Sequence, residues 1–384
     1  MIDESNLIPD VGDTLSNAEC THAKETTDDQ VADAVVQSAV KEEPHAISSK
    51  VFLQTEKYPA DAVSVFGVSL LGRVHENYGD LCQDYHLFSD LGDGWHLYIV
   101  SDGAGSAVAS DRGARWNCII TEYLIKGLLE RNDWQSRLSL PSELEWYQAF
   151  YAVCRKVKAN IIEKVDMLDE HRLPRDFNAT LLVLLVTPCG VLSGHIGDGR
   201  MGYRAEDGSW HSLITPHKGE EANQTIFMMN SWDAIRLPIL TMSDVSVPET
   251  RVVPRRPTAV AVLSDGCENF SWNCTQYDNQ TGIYEDRNTP FDGFWVPLID
   301  TILTSRPDER METFIQFVDT KTDACKLEQD DRSLMLGIYV LSDADVEMKE
   351  TIVPVDASST EEEEGEQTQL NTIMEPDEDQ NSTY

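Results

Sequence analysis

Val100-Ser101-Asp102-Gly103-Ala104-Gly105-Ser106-Ala107 follows the apolar run Trp95 to Val100 and precedes a segment of helical spacing. The stretch reads as a strand end that delivers one carboxylate into a tight turn. Glycines at 103 and 105 let the backbone approach a bound ion or anion closely. An Asp-Gly pair after a strand is by itself an ordinary turn. Its weight grows because Asp84, Asp198, Asp265 and Asp330 also stand at or near the ends of apolar strand-like runs, spread across most of the 384 residues.

Around that turn the chain alternates between two periods. Strand-like runs cover Ala62 to Leu71, Cys82 to Phe88, Thr180 to Thr187, Gly190 to Ile196, short stretches near 201–205 and 209–214, Ala259 to Leu263, and Ser333 to Leu341. The Thr180 to Thr187 run is nearly continuous Leu and Val, as in a strand buried on both faces. Helical spacing covers 107–131 and Ser142 to about Val165, where Ser142 with Glu145 resembles a capping box. A helix pair broken by Pro307 is expected over 292–305 and 307–320, and periodicity fades over 215–257, a long loop region that could cover a site. Strands, two helices, many strands, two helices and a last strand predict an α+β fold of two packed sheets flanked by helices. Alternating βαβ units are not the pattern.

Composition limits the function classes. The formal charge of −37 argues against nucleic acid or an anionic membrane as a direct partner, since phosphate binding needs clustered Lys and Arg. Acidic surfaces attract cations, and a carboxylate-rich site suits a hard divalent metal. Eight cysteines form no CxxC pair and no zinc spacing, which predicts reduced thiols. The N-terminus lacks the basic and apolar regions of a signal peptide, and no apolar run approaches the ~18 residues of a membrane span, so a cytoplasmic location is expected. Residues 1–55 and 343–384 are acidic and poor in apolar side chains, and are expected to be disordered arms around a domain over 56–342. Val31, Val35 and Ala39 have the spacing of a short docking helix in the first arm.

Several carboxylates gathered without Cys or His would make an oxygen-only site, which suits Mg²⁺ or Mn²⁺ over zinc. Two such ions bridged by a water would lower its pKa and place hydroxide in line with a phosphoryl or acyl centre.

An ordered set of motifs then narrows the choice: Gly72-x-x-His75 with Gly79 and Gln83-Asp84, Asp102-Gly103-Ala104-Gly105-Ser106, Gly197-Asp198-Gly199, Ser264-Asp265-Gly266 and Asp330-Asp331-x-Ser333. This set resembles the metal-dependent protein phosphatase 2C family, most closely its divergent bacterial branch with a GxxH segment before Gln-Asp. Gly219 to Thr225 looks like a loop motif of that branch, and the resemblance covers about residues 62–341. It implies an αββα sandwich of two antiparallel sheets and a binuclear Mn²⁺ or Mg²⁺ centre between them, with room for a third ion. By motif, Asp102 would bridge both ions and the Gly103 carbonyl would complete one of them. Asp265 and Asp330 would hold the first ion, Asp84 would serve the second directly or through water, and Asp198 matches the looser third position. A metal-bound hydroxide would attack phosphoserine or phosphothreonine directly, with no phosphoenzyme.

Two departures from the family pattern stand out. An arginine that binds substrate phosphate in many members is replaced by Gly79, so His75 or Arg73 would take over. Gly199 stands where serine is common. His75 is also a candidate general acid, because imidazole changes charge near neutrality. Asp331 reads as a helper or water ligand, Gln83 as a group that orients water or a plain backbone cap, and His195 as a core histidine. Trp116, Trp146 and Trp295 read as core or interface. The partners implied are phosphorylated proteins and a partner Ser/Thr kinase, with the enzyme acting as a monomer. The competing readings are a non-catalytic phosphatase-like binding module that uses its acidic arms for capture, and a metal-dependent nuclease, which the acidic charge disfavours.

Overall fold

The computed structural model describes residues 51–52, 63–137, 139–168, 171–218, 225–232, 247–280 and 282–339. The expected docking helix near Val31, the acidic tail over 343–384 and Gly219 to Gln224 of the loop motif lie outside the described residues, as does the expected arm over 1–55 apart from 51–52.

Two antiparallel sheets carry the fold. The first has the order β1 (Val51–Phe52), β2 (Val63–Leu70), β13 (Arg332–Tyr339), β10 (Ala259–Leu263), β7 (Arg200–Arg204), β8 (Trp210–Ser212). The second has the order β3 (Tyr85–Asp90), β4 (His96–Ser101), β5 (Leu181–Thr187), β6 (Gly190–Ile196), β9 (Glu249–Val253). A separate hairpin joins β11 (Gln276–Asp278) and β12 (Ile283–Glu285).

The period of two along each strand decides the layers. In β4, Leu97 and Ile99 pack with Trp116, Ile120, Phe150 and Val157 of helices α2 (Ser110–Asn132) and α3 (Glu143–Met167). Tyr98 and Val100, on the other face, meet Val260, Val262 and Met335 of the opposite sheet. In β10, Ala259, Ala261 and Leu263 turn to Trp295, Leu298 and Phe314 of helices α5 (Asp292–Thr304) and α6 (Arg310–Asp319). The result is helix, sheet, sheet, helix, the expected αββα sandwich. Both sheets are covered on both faces, which explains why their strands read as near-continuous apolar runs.

Register then collects the turns at one end. Ser101 pairs with Tyr85, Leu181 with Ile196, Leu263 with both Arg200 and Leu334, and Leu70 with Arg332. Asp84, Asp102, Asp198, Asp265 and Asp330 therefore leave their strands at the same edge of the sandwich.

Six elements depart from the sequence reading. Residues 215–257 hold a strand, β9, which pairs with β6 at the sheet edge and whose polar, half-buried residues give no apolar alternation. The loop after β2 contains a short helix α1 (Arg73–Tyr78) with no fully buried residue, hence no apolar face to read. The β11 and β12 hairpin and the helices α4 (Glu268–Ser271) and α7 (Asp323–Leu327) are too short to show a period. The capping box holds as expected, with Glu145 N donating to Ser142 Oγ and Ser142 N to Glu145 Oε2.

Candidate metal centre

Asp102 follows β4 directly. Its backbone N–H donates to Thr180 Oγ1 at 2.9 Å, and its carbonyl accepts from Thr180 N at 2.8 Å, which fixes the turn against the start of β5. Gly103 sits where a Cβ would lie 2.6 Å from the Gln83 carbonyl, so the turn can lie against the Gln83-Asp84 backbone only with glycine there. Its carbonyl belongs to the same tight loop that the sequence assigned to ion binding.

Asp84 is buried just ahead of β3, and Ser264 Oγ donates to its Oδ2 at 2.7 Å. Ser264 Oγ in turn accepts from Ser333 N at 2.9 Å, which ties three motifs together. Burial pushes the Asp84 carboxyl well above the ordinary carboxylate range, and the charges of Asp331, Asp330 and Asp265 add to the shift. Asp102 is raised in the same way, first by burial and then by Asp84, Asp265 and Asp330. Asp265 shares a hydrogen bond with Asp102 and is pushed up to about 7, by burial and then by Asp198. Its Oδ1 is buried and has no hydrogen-bond partner. Burial also raises Asp330, whose Oδ1 accepts from Asp331 N at 2.8 Å.

Sequence positions 84, 102, 265 and 330 thus feel one another as charges, and Asp198 joins through Asp265. Asp198 accepts a hydrogen bond from Thr225 Oγ1, and burial raises its carboxyl. Beyond it, Arg200 is fully buried and bonds Glu268 at 2.6 Å and Asp286 at 2.7 Å, so its charge is already matched.

These groups suit a hard divalent cation. The donors are all oxygen, the carboxylates raise one another's pKa, and one buried carboxylate oxygen is left without a donor; a divalent ion among them would reverse that mutual repulsion.

His75 stands at the edge of the cluster, with Nδ1 3.0 Å from Asp331 Oδ1. Two residues with open roles in the sequence gain definite partners. Asp331 has both carboxylate oxygens taken by backbone N–H groups, of Gly72 and Gln83, each at 2.6 Å. Gln83 Oε1 accepts from Ser110 Oγ at 2.9 Å, so its side chain fastens the start of α2. Neither role has a local signal, because each depends on partners far away in sequence.

His195 is fully buried, as a core histidine should be. With His217 and Glu249 it brings nitrogen and oxygen atoms within 4.8 Å of one another. The two rings are stacked at 4.1 Å and 16°, so their in-plane lone pairs cannot converge on one ion. His195 Nε2 is 3.0 Å from the Thr215 carbonyl, and Glu249 Oε2 accepts from Thr215 N at 2.8 Å. The group staples the segment after β8 to β6. The three tryptophans are buried in the two helix-facing cores.

Residues 71–316 match the family model described as protein phosphatase 2C. A search of the curated proteins finds no match. Among solved structures, the S. agalactiae serine/threonine phosphatase aligns with a TM-score of 0.42 at 15% identity, over 72% of this chain and 99% of that one. Serine/threonine phosphatase Stp1 from Staphylococcus aureus aligns at 0.45 and 10%, over 75% and 99%. The catalytic domain of the serine/threonine protein phosphatase PstP, solved with two manganese ions, aligns at 0.43 and 12%, over 73% and 99%.

Proposed function

Given that the chain belongs to the protein phosphatase 2C family, and is thereby a phosphoprotein phosphatase, we propose that it hydrolyses phosphoserine and phosphothreonine at the carboxylate end of the sandwich. The observation that carries this reading is the meeting of Asp84, Asp102, Asp265 and Asp330, four carboxylates from both sheets, each raised by desolvation and by acidic neighbours.

Asp102, Asp265, Asp330, Asp84 and the Gly103 carbonyl would hold two Mn²⁺ or Mg²⁺ ions, with Asp198 available to a third. Bound there, the ions supply a water activated as a nucleophile and neutralise phosphate charge. The chain does the rest. Thr180 and Ser264 hold Asp102 and Asp84 in place before substrate arrives. Deprotonation of the Asp102 and Asp265 pair frees its oxygens for ligation. His75, with Nδ1 toward Asp331, has Nε2 left to bind the phosphate or to donate a proton to the departing serine or threonine oxygen.

The test is hydrolysis of a phosphoserine peptide with Mn²⁺. Asp102→Ala and Asp265→Ala should each lose activity by about 10²-fold or more. Unchanged rates in both variants would sink the assignment.

A further inference from the structure

We infer that Asp331 is a positioning residue: it clamps the crossover between the two sheets so that His75 faces the carboxylate cluster, and it is not itself a ligand there. The inference rests on the proposed phosphatase reading for its kinetic arm only.

The crossover runs from the end of β2 in one sheet to the start of β3 in the other, and three of its points converge on one carboxylate. Gly72 N donates to Oδ1 at 2.6 Å, Gln83 N donates to Oδ2 at 2.6 Å, and His75 Nδ1 is 3.0 Å from Oδ1. Asp331 is 2% exposed. Carboxylates accept without donating, so one Asp can take both backbone N–H groups and face an imidazole N–H. Asparagine would turn an N–H toward one of those donors. The clamp also explains the spacing of the Gly72-x-x-His75 motif. A Cβ on Gly72 would lie 2.4 Å from the carbonyl carbon of Asp330, so only glycine lets the turn lie on that backbone. Val74 N then donates to the Gln329 carbonyl at 3.2 Å, and the next residue, His75, is set beside Asp331. Each oxygen of Asp331 already accepts a backbone N–H, with which an ion would have to compete, whereas the Asp330 carboxylate accepts one among the described residues, from Asp331 N to its Oδ1.

The experiment uses the full chain and the variants Asp331→Asn, His75→Ala and their combination. Calorimetric titration with Mn²⁺ should give Asp331→Asn an affinity within about 3-fold of wild type, while kcat for p-nitrophenyl phosphate at saturating Mn²⁺ falls by about 10²-fold with KM little changed. The double variant should be no slower than His75→Ala alone, because both remove the same action. An Asp331→Asn protein whose Mn²⁺ affinity drops 10-fold or more with kcat restored at saturating metal would make Asp331 a ligand and overturn the inference. Multiplicative losses in the double variant would overturn it too. Two further readouts need no turnover. Long-range ¹⁵N–¹H spectra of His75 should show Nδ1–H in the wild type and its loss in Asp331→Asn. In the wild type alone, the Gly72 and Gln83 amides should resist hydrogen exchange, and free exchange at both would overturn the clamp even if the variant does not fold. A wild-type protein with a protected clamp and no phosphatase activity would refute the functional reading and leave the clamp standing.

Discussion

Asp265, pushed up to about 7 by burial and then by Asp198, shares a hydrogen bond with Asp102, itself raised by burial and its acidic neighbours. A carboxyl that holds its proton more tightly folded than unfolded stabilises the fold while protonated. That contribution is complete below the ordinary carboxylate pKa near 4 and is lost as pH rises through about 7. His86 and His195 oppose it on the acid side: burial lowers them to about 4 and about 3, so their contribution is lost as pH falls below the usual histidine range. Between about pH 8.5 and 7.5 the histidines are largely neutral in both states, and the carboxylates decide. In EDTA, the melting temperature should rise as pH falls across that window, and Asp265→Asn should flatten the slope. A wild-type slope of the opposite sign would show that these carboxyls are ionised without metal. The five strand-end aspartates were legible in sequence because each follows or precedes an apolar run. The work of Asp331 and Gln83 was not, because Asp331 meets Gln83 across 248 positions.

Helix α2 shows what an element owes to one missing side chain. Its first turns lie against the 3₁₀ turn Pro174–Phe177, where Trp116 stacks on Phe177 with ring centroids 5.0 Å apart. A Cβ on Gly113 would sit 2.2 Å from the Phe177 carbonyl oxygen, and backbone cannot rotate away as a side chain can. Gly113→Ala raises helix propensity, yet the clash should win, costing about 1–3 kcal/mol. Urea unfolding measures it, and a midpoint at or above wild type would mean that the helix shifts without penalty. Since Asn117 on this helix donates to the Thr180 carbonyl at 3.0 Å, the same variant should loosen the Asp102 turn. Gly113 gives no warning in the sequence, where a lone glycine in a helical pattern reads only as a weak spot. By contrast, the start of α3 was legible, since its capping box is local to Ser142 and Glu145. Strand β9 was not, because an edge strand with Glu249 and Arg251 carries no apolar period.

At the scale of the whole molecule, two sources of negative charge must be separated: a formal −37 spread over the chain, and the partly buried carboxylates gathered at the strand ends. Surface repulsion is screened by any salt, with a Debye length of about 8 Å at 0.15 M, whereas a buried cluster is screened far less. The two respond differently to ions. Potassium chloride should give a modest gain in melting temperature that levels off as screening saturates. A divalent ion that binds the folded cluster should add about 2.7 kcal/mol when free metal reaches 100 times its dissociation constant, a gain that keeps growing with concentration. Mn²⁺ at low millimolar concentration should therefore stabilise the wild type well beyond KCl of matched ionic strength, and chelation should reverse it. In Asp102→Ala the Mn²⁺ increment should shrink to the KCl value, because the surface charge is nearly unchanged while the cluster has lost its central oxygens. Equal increments from Mn²⁺ and matched KCl in the wild type would assign the effect to surface charge and leave the strand-end carboxylates without a cation to hold.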